Sequence, residues 1–202
     1  MSYDLLVFDL DGTLVDSAED ISAALRRVLA RLGRPPVTHE KVVASIGRGV
    51  RKLIERTSEP PHEPVVEAFL AEYAAHLLDR TRLYPGVEET LAVLPARKVV
   101  LSNKPERLCR RIVEGLGIAG RFEAVYGGDS FPTRKPDPAV FRAAARGARR
   151  PLMVGDSGVD LETARAAGAA MCAVTYGYAQ PGELDGADFA IDRFSRLLEV
   201  LR

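Results

Sequence analysis

Asp9 and Asp11 stand one residue apart at the end of the apolar run Leu5-Leu6-Val7-Phe8, and Gly12 follows at once. A short, continuous apolar run with such a break reads as a buried parallel strand. Side chains alternate along an extended chain, so the spacing predicts both carboxylates on one side at the strand's carboxyl end. Open α/β sheets bind their ligands at that end. Two carboxylates this close repel unless a cation lies between them, and their oxygen donors suit a hard divalent ion, with Mg2+ the expected cofactor. A plain polar turn would carry the same residues, so other segments have to decide.

Three further strand ends carry matching groups. Val99-Val100-Leu101 runs into Ser102-Asn103, where a hydroxyl and free N–H groups at a helix start can hold an anion. Lys135, within Thr133-Arg134-Lys135-Pro136-Asp137-Pro138, sets a cation just ahead of a helix. Leu152-Met153-Val154 leads into Gly155-Asp156-Ser157-Gly158-Val159-Asp160, with two more carboxylates. Taken singly, Ser102 and Asn103 also suit a helix cap, Lys135 a surface position, and Asp156 and Asp160 a turn and a cap. In a parallel sheet all four ends share one edge and converge. Acids, a hydroxyl and a lysine gathered there suit phosphoryl transfer: cations and N–H donors neutralise the equatorial oxygens while a carboxylate attacks in line.

The elements that must position these groups are legible from periodicity. From Ser17 to Leu32, apolar residues at Ile21, Leu25, Val28, Leu29 and Leu32 follow helical spacing, with Ser17 and Asp20 resembling a capping box and Gly33 a stop. Shorter helices are predicted over residues 39–46 and 50–56, separated by Gly47-Arg48-Gly49, and a further one carries Val65, Phe69, Tyr73 and Leu77. Tyr84-Pro85-Gly86 marks the return. Beyond it, helices alternate with apolar strands near residues 99–101, 124–126, 152–154, 170–174 and 189–191. Such alternation predicts a parallel sheet covered on both faces. The expected fold is α/β: a Rossmann-like parallel-sheet core built from residues 1–14 and 85–202, with an inserted all-helical cap domain over residues 15–84.

The chain's 28 basic and 28 acidic residues balance, which argues against nucleic acid and anionic membranes as partners. The two cysteines, Cys109 and Cys172, fit neither a metal motif nor a secreted disulfide scaffold. No apolar stretch reaches membrane-spanning length. A cytoplasmic protein handling a small phosphorylated metabolite is expected.

FDLDGTLVDS, LSNK, TRKPDP and VGDSGVDLETARAAG together resemble the motifs of the haloacid dehalogenase-like hydrolases, and the likeness covers essentially the whole chain. An insert after the first motif is similar to that family's small-cap subclass. SIGRGVRKLIER and GGDSFPTRKPDP are similar to segments of phosphoglycolate phosphatases. The resemblance implies Asp9 as nucleophile and metal ligand, forming an aspartyl-phosphate. It implies Asp11 as general acid and then base, with its backbone carbonyl on the metal. Ser102, the N–H of Asn103, and Lys135 would hold the phosphate; Asp156 would complete the Mg2+ site, with Asp160 supporting it. A carbon–halogen cleavage would need neither Asp11 nor a metal, so these acids favour phosphate chemistry.

The cap is left to choose the substrate. Arg48, between two glycines, is the candidate there for pairing with the carboxylate of 2-phosphoglycolate, although it also suits an exposed helix surface. A sugar phosphomutase, a small-cap phosphatase for pyrophosphate, nucleotides or sugar phosphates, and a scaffold that binds a phosphometabolite without turnover are the alternatives.

Overall fold

The computed structural model describes residues 3–201; the ends of the expected core span, residues 1, 2 and 202, lie outside them. The chain opens with β1 (Leu5–Phe8), then a short β2 (Val15–Asp16). Helices α1 (Ala18–Arg31), α2 (His39–Val43), α3 (Val50–Thr57) and α4 (Glu63–Ala75) follow before β3 (Arg82–Leu83). The chain then alternates through α5 (Val87–Val93), β4 (Arg97–Leu101), α6 (Glu106–Gly115), β5 (Ala124–Tyr126), α7 (Pro138–Ala144) and β6 (Pro151–Gly155). It ends with α8 (Gly158–Ala167), β7 (Ala170–Val174), β8 (Phe189–Ile191) and α9 (Leu197–Val200).

Six strands form one sheet in the order β5-β4-β1-β6-β7-β8, every neighbouring pair parallel. The Rossmann-like α/β fold is therefore present. The sheet's first strand is central: Phe8 is level with Val100 on one side and Val154 on the other. The chain builds outward on one side of β1, then returns to build on the other. That reversal opens a crevice at the carboxyl ends of β4, β1 and β6.

Alternate residues of each strand feed different layers. Leu6, Phe8, Val100, Leu152 and Val154 join Leu91 of α5, Leu108 and Ile112 of α6 and Leu197 of α9 in one core. Leu5, Val7, Val99, Leu101 and Met153 pack instead with Val140 and Phe141 of α7 and Leu161 and Ala164 of α8. Full burial of a Leu, Val or Phe side chain contributes about 1.5–3 kcal/mol, so both faces of β1 anchor the crevice.

Helices α1 to α4 occupy the interval between β1 and β4. Ile21, Leu25, Val28 and Leu29 of α1 meet Val65, Phe69 and Tyr73 of α4 in a buried seam. The seam's rim carries Arg27 and Arg31 on Glu72. At the root of the insert β2 and β3 pair antiparallel, Val15 with Leu83 and Asp16 with Arg82. The expected capping box at Ser17 is not formed. Ser17 makes no side-chain cap, because its hydroxyl donates to Asp11. Asp20 accepts from the N–H groups of Arg80 and Thr81 and from the Thr81 hydroxyl, tying the start of α1 to the return strand.

Candidate active site

Asp9 sits one residue beyond β1, and its N–H still donates to the Val154 carbonyl at 2.9 Å. It continues the alternation of Leu5 and Val7, so its side chain falls on the α7/α8 side. There Lys135, on the loop entering α7, lies with Nζ 3.0 Å from Asp9 Oδ1 and 2.6 Å from Asp160 Oδ1. All three side chains are buried. Asp9 Oδ1 nonetheless accepts no aligned hydrogen bond.

Asp160 serves two elements. Its other oxygen accepts from the Ser157 hydroxyl at 2.6 Å and the Ser157 N–H at 3.1 Å, while Ser157 caps the Asp160 N–H in return. This capping box starts α8 three residues earlier than periodicity predicts, at Gly158 rather than Leu161. Asp156, at the end of β6, accepts from the Thr13 hydroxyl at 3.1 Å and the Tyr178 N–H at 2.7 Å. Gly12, with φ +83°, is held against it; a Cβ there would collide with the Asp156 carboxylate.

Asp11 lies beyond the extended part of the strand. The strand stops at Phe8, and the Leu10 carbonyl accepts from the N–H groups of Thr13, Leu14 and Val15 in a tight turn through Gly12. The Asp11 carboxylate takes partners different from those of Asp9, although both acids line one cavity. One oxygen accepts from Ser17 Oγ at 2.5 Å, and the other lies 2.9 Å from Lys104 Nζ. Lys104 also donates to the Tyr73 hydroxyl of α4 at 2.7 Å.

Ser102 and Asn103 follow β4 directly and are buried. Asn103 is a crosslink: its amide donates at 3.0 Å both to the Gly47 carbonyl of the insert and to the Lys135 carbonyl. Gly47 and Gly49, at φ +101° and +85°, let the insert's backbone approach this closely. Asp9, Asp11, Ser102, Asn103 and Lys104 then line a cavity of about 40 Å³, roofed by Ile21, Ile46, Val50, Phe69 and Tyr73. Arg48 is not on this wall. Its side chain is 35% exposed and lies 3.6 Å from Glu162 of α8.

Burial and the neighbouring carboxylates set the electrostatics. Burial, with repulsion from Asp160 and Asp11, pushes Asp9 up from 3.8 to about 6 against the pull of Lys135. Burial and the charges of Asp9 and Asp160 drive Asp156 well above the usual carboxylate range. Burial alone would lower both lysines, but Asp160 and Asp9 outweigh it at Lys135, and Asp11 and Tyr73 at Lys104, so both rise. Four buried carboxylates, Asp9, Asp11, Asp156 and Asp160, face two buried ammonium groups. The formal excess is that of one divalent cation. Asp9, Asp156 and Asp160 each offer an oxygen within 4.8 Å of the others. An all-oxygen donor set with this residual charge fits a hard divalent ion.

Periodicity marks Tyr73 only as a helix position and Ser17 only as a cap, and neither it nor motif spacing gives Lys104 or Tyr178 a role at the site. Lys104 closes LSNK, and its charge directly after a strand end was the one available signal. Tyr178 acts as a strap: its hydroxyl accepts from the Ser17 and Ala18 N–H groups and donates to Asp16, while its N–H holds Asp156.

Residues 6–174 match the family model of haloacid dehalogenase-like hydrolases. A phosphoglycolate phosphatase from Chromobacterium violaceum is 37% identical over 98% of this chain and 96% of its own. One from Cereibacter sphaeroides is 42% identical over 86% of this chain and 85% of its own. The crystal structure of a predicted phosphoglycolate phosphatase from Haemophilus somnus superposes with a TM-score of 0.94 at 30% identity, covering 100% of this chain and 99% of that one. No helix among the described residues is long and apolar enough to cross a membrane.

Proposed function

The chain belongs to the haloacid dehalogenase-like hydrolase family, and from that premise we propose that it is a Mg2+-dependent phosphatase acting on 2-phosphoglycolate or a similarly small phosphate ester. The observation that carries the reading is the pairing of each candidate acid with its own lysine: Asp9 with Lys135, Asp11 with Lys104, around one cavity.

Asp9 attacks phosphorus as the ester P–O bond breaks, giving an aspartyl-phosphate and an alcohol. Asp11 gives its proton to the departing oxygen, then takes one from the water that hydrolyses the aspartyl-phosphate, so inorganic phosphate leaves and Asp9 is restored. Ser102, the Asn103 N–H and Lys135 bind the phosphoryl oxygens. Lys135 stays in register because Asp160 holds it from behind. Asp9 and Asp156, with Asp160 beside them and the Asp11 carbonyl as a further donor, would hold Mg2+, which when bound would supply positive charge against the phosphate. Residues 15–84 act as a cap: in the arrangement present, Ile46, Val50 and Phe69 keep bulk water from the acids. The small cavity supports a short leaving group. So do the names of the two relatives from Chromobacterium violaceum and Cereibacter sphaeroides, both phosphoglycolate phosphatases.

The test is phosphate release from 2-phosphoglycolate with Mg2+, by wild-type protein and by Asp9→Asn. The variant keeps the fold and loses roughly 10^4-fold or more in kcat. A cleanly folded Asp9→Asn with substantial activity refutes the mechanism.

A further inference from the structure

We propose that Lys104 is the specificity-determining group of the leaving-group subsite, selecting phosphate monoesters that carry a second anionic charge next to the ester oxygen. The inference rests on the phosphatase reading above and deepens it. Four observations carry it.

The first is position. Lys104 Nζ is 2.9 Å from Asp11 Oδ2, and Asp11 is the group that meets the departing oxygen. Lys135 is on the other side, with Asp9 and Asp160, so the two lysines divide the substrate between phosphoryl end and leaving-group end. The second is exclusivity. Among the residues lining the cavity, Lys104 is the one cation; the apolar side chains that line it include Ile21, Ile46, Val50, Phe69 and Leu108. An anion buried there has to be paired or it costs heavily.

The third is spare capacity. An ammonium has three N–H donors. Asp11 and the Tyr73 hydroxyl take two of them; the third has no protein partner among the described residues. The fourth is preorganisation. Lys104 is buried, with Nζ 4.5 Å from the Tyr73 ring centroid, and Tyr73 is stacked on Phe69. Its charge is therefore fixed before the substrate arrives, and part of its seat comes from the insert. Arg48, by contrast, is half-exposed and turned to Glu162. The selecting charge is thus placed on a buried cation of the core rather than on Arg48.

The experiment is a charge series on the intact protein. kcat/KM is measured by phosphate release from 2-phosphoglycolate, ethyl phosphate and phosphoethanolamine, whose leaving groups are short and anionic, neutral and cationic. Lys104→Met is expected to lose on the order of 10–100-fold more on 2-phosphoglycolate than on ethyl phosphate, the worth of one charge-assisted contact. It should also narrow or invert the wild type's discrimination against phosphoethanolamine. Tyr73→Phe, which keeps the stacked ring and the fold, should shift the same ratio in the same direction by a smaller factor. Parallel losses on all three esters would assign Lys104 a structural role and overturn the proposal. So would a selective loss on 2-phosphoglycolate in Arg48→Ala with none in Lys104→Met. If Lys104→Met does not fold, an unchanged ratio in Tyr73→Phe overturns it alone. Absence of Asp9-dependent phosphate release from any of the three esters is a different result: it removes the phosphatase reading itself, and this inference with it.

Discussion

Removing the divalent cation makes the protein's stability depend on pH in a direction opposite to that of ordinary paired carboxylates. Asp9 is pushed from 3.8 to about 6, chiefly by burial. The folded chain therefore binds this proton more tightly than the unfolded one. Its stabilising share is fully present below about pH 4 and is lost as pH rises through about 6. The whole effect is about 3 kcal/mol, of which roughly half falls between about pH 5 and about pH 7.5. For a chain of this size that is a drop of roughly 3–6 °C in Tm. Mg2+ acts against it, since it binds the ionised carboxylates and competes with protons at lower pH. Thermal unfolding is followed by differential scanning calorimetry in EDTA and in excess Mg2+, for wild type and Asp9→Asn. Other acids titrate too, so the readout is the wild-type curve minus that of the variant. In EDTA that difference should fall across the window, and the Mg2+ gain should be larger at the higher pH. A difference that is flat or rising, with equal Mg2+ gains at both ends, would refute the electrostatic account of the cluster.

Other expectations follow from single contacts. EDTA should abolish phosphate release and Mg2+ restore it, with Ca2+ a poor substitute because its longer bonds misplace the attacking carboxylate; full activity after exhaustive chelation would exclude the site. Gly12→Ala places a Cβ against Asp156 at a backbone angle that L residues avoid, and should raise the Mg2+ concentration for half-maximal activity by on the order of 10–100-fold; an unchanged Mg2+ titration argues against Asp156 as a ligand. Asp20→Ala strips the acceptor from two buried-side N–H groups and a hydroxyl, and should cost about 3–5 kcal/mol in urea unfolding. A loss below about 1 kcal/mol would mean water replaces the carboxylate.

The sheet was legible because its strands are continuous apolar runs. Residues 124–126, 170–174 and 189–191 are strands with the bounds that the pattern predicts. Parallel topology then brings Asp9, Ser102, Asn103, Lys135 and Asp156 to one edge, since each follows or faces a strand end. Local pattern could not tell two Ser-x-x-Asp segments apart. Ser17-Asp20 looks like a capping box and is not one, because tertiary neighbours take both side chains. Ser157-Asp160, whose acid also suits a cap by sequence, is the box that forms. The partners of Asp11 are not legible for a similar reason: β1 ends before Leu10, and a tight turn, not strand register, sets Asp11 beside Ser17 and Lys104. Lys104 and Tyr73 are distant in sequence, and only the docking of α4 on the core makes them partners.

Asp160 answers both to Lys135 and to the first turn of α8, which has a consequence for the order in which a nascent chain becomes competent. Synthesis delivers the N-terminal part first, so Asp9 leaves the ribosome long before the segment that will hold its lysine. Until α8 has started and lodged against β6 and α7, Lys135 lacks its rear support and Asp156 has no Tyr178 behind it. An unfinished chain thus carries a carboxylate capable of attack with neither a seated cation nor a metal cluster around it. Groups made late, Asp160 of α8 and Tyr178, are the ones that arm the first strand.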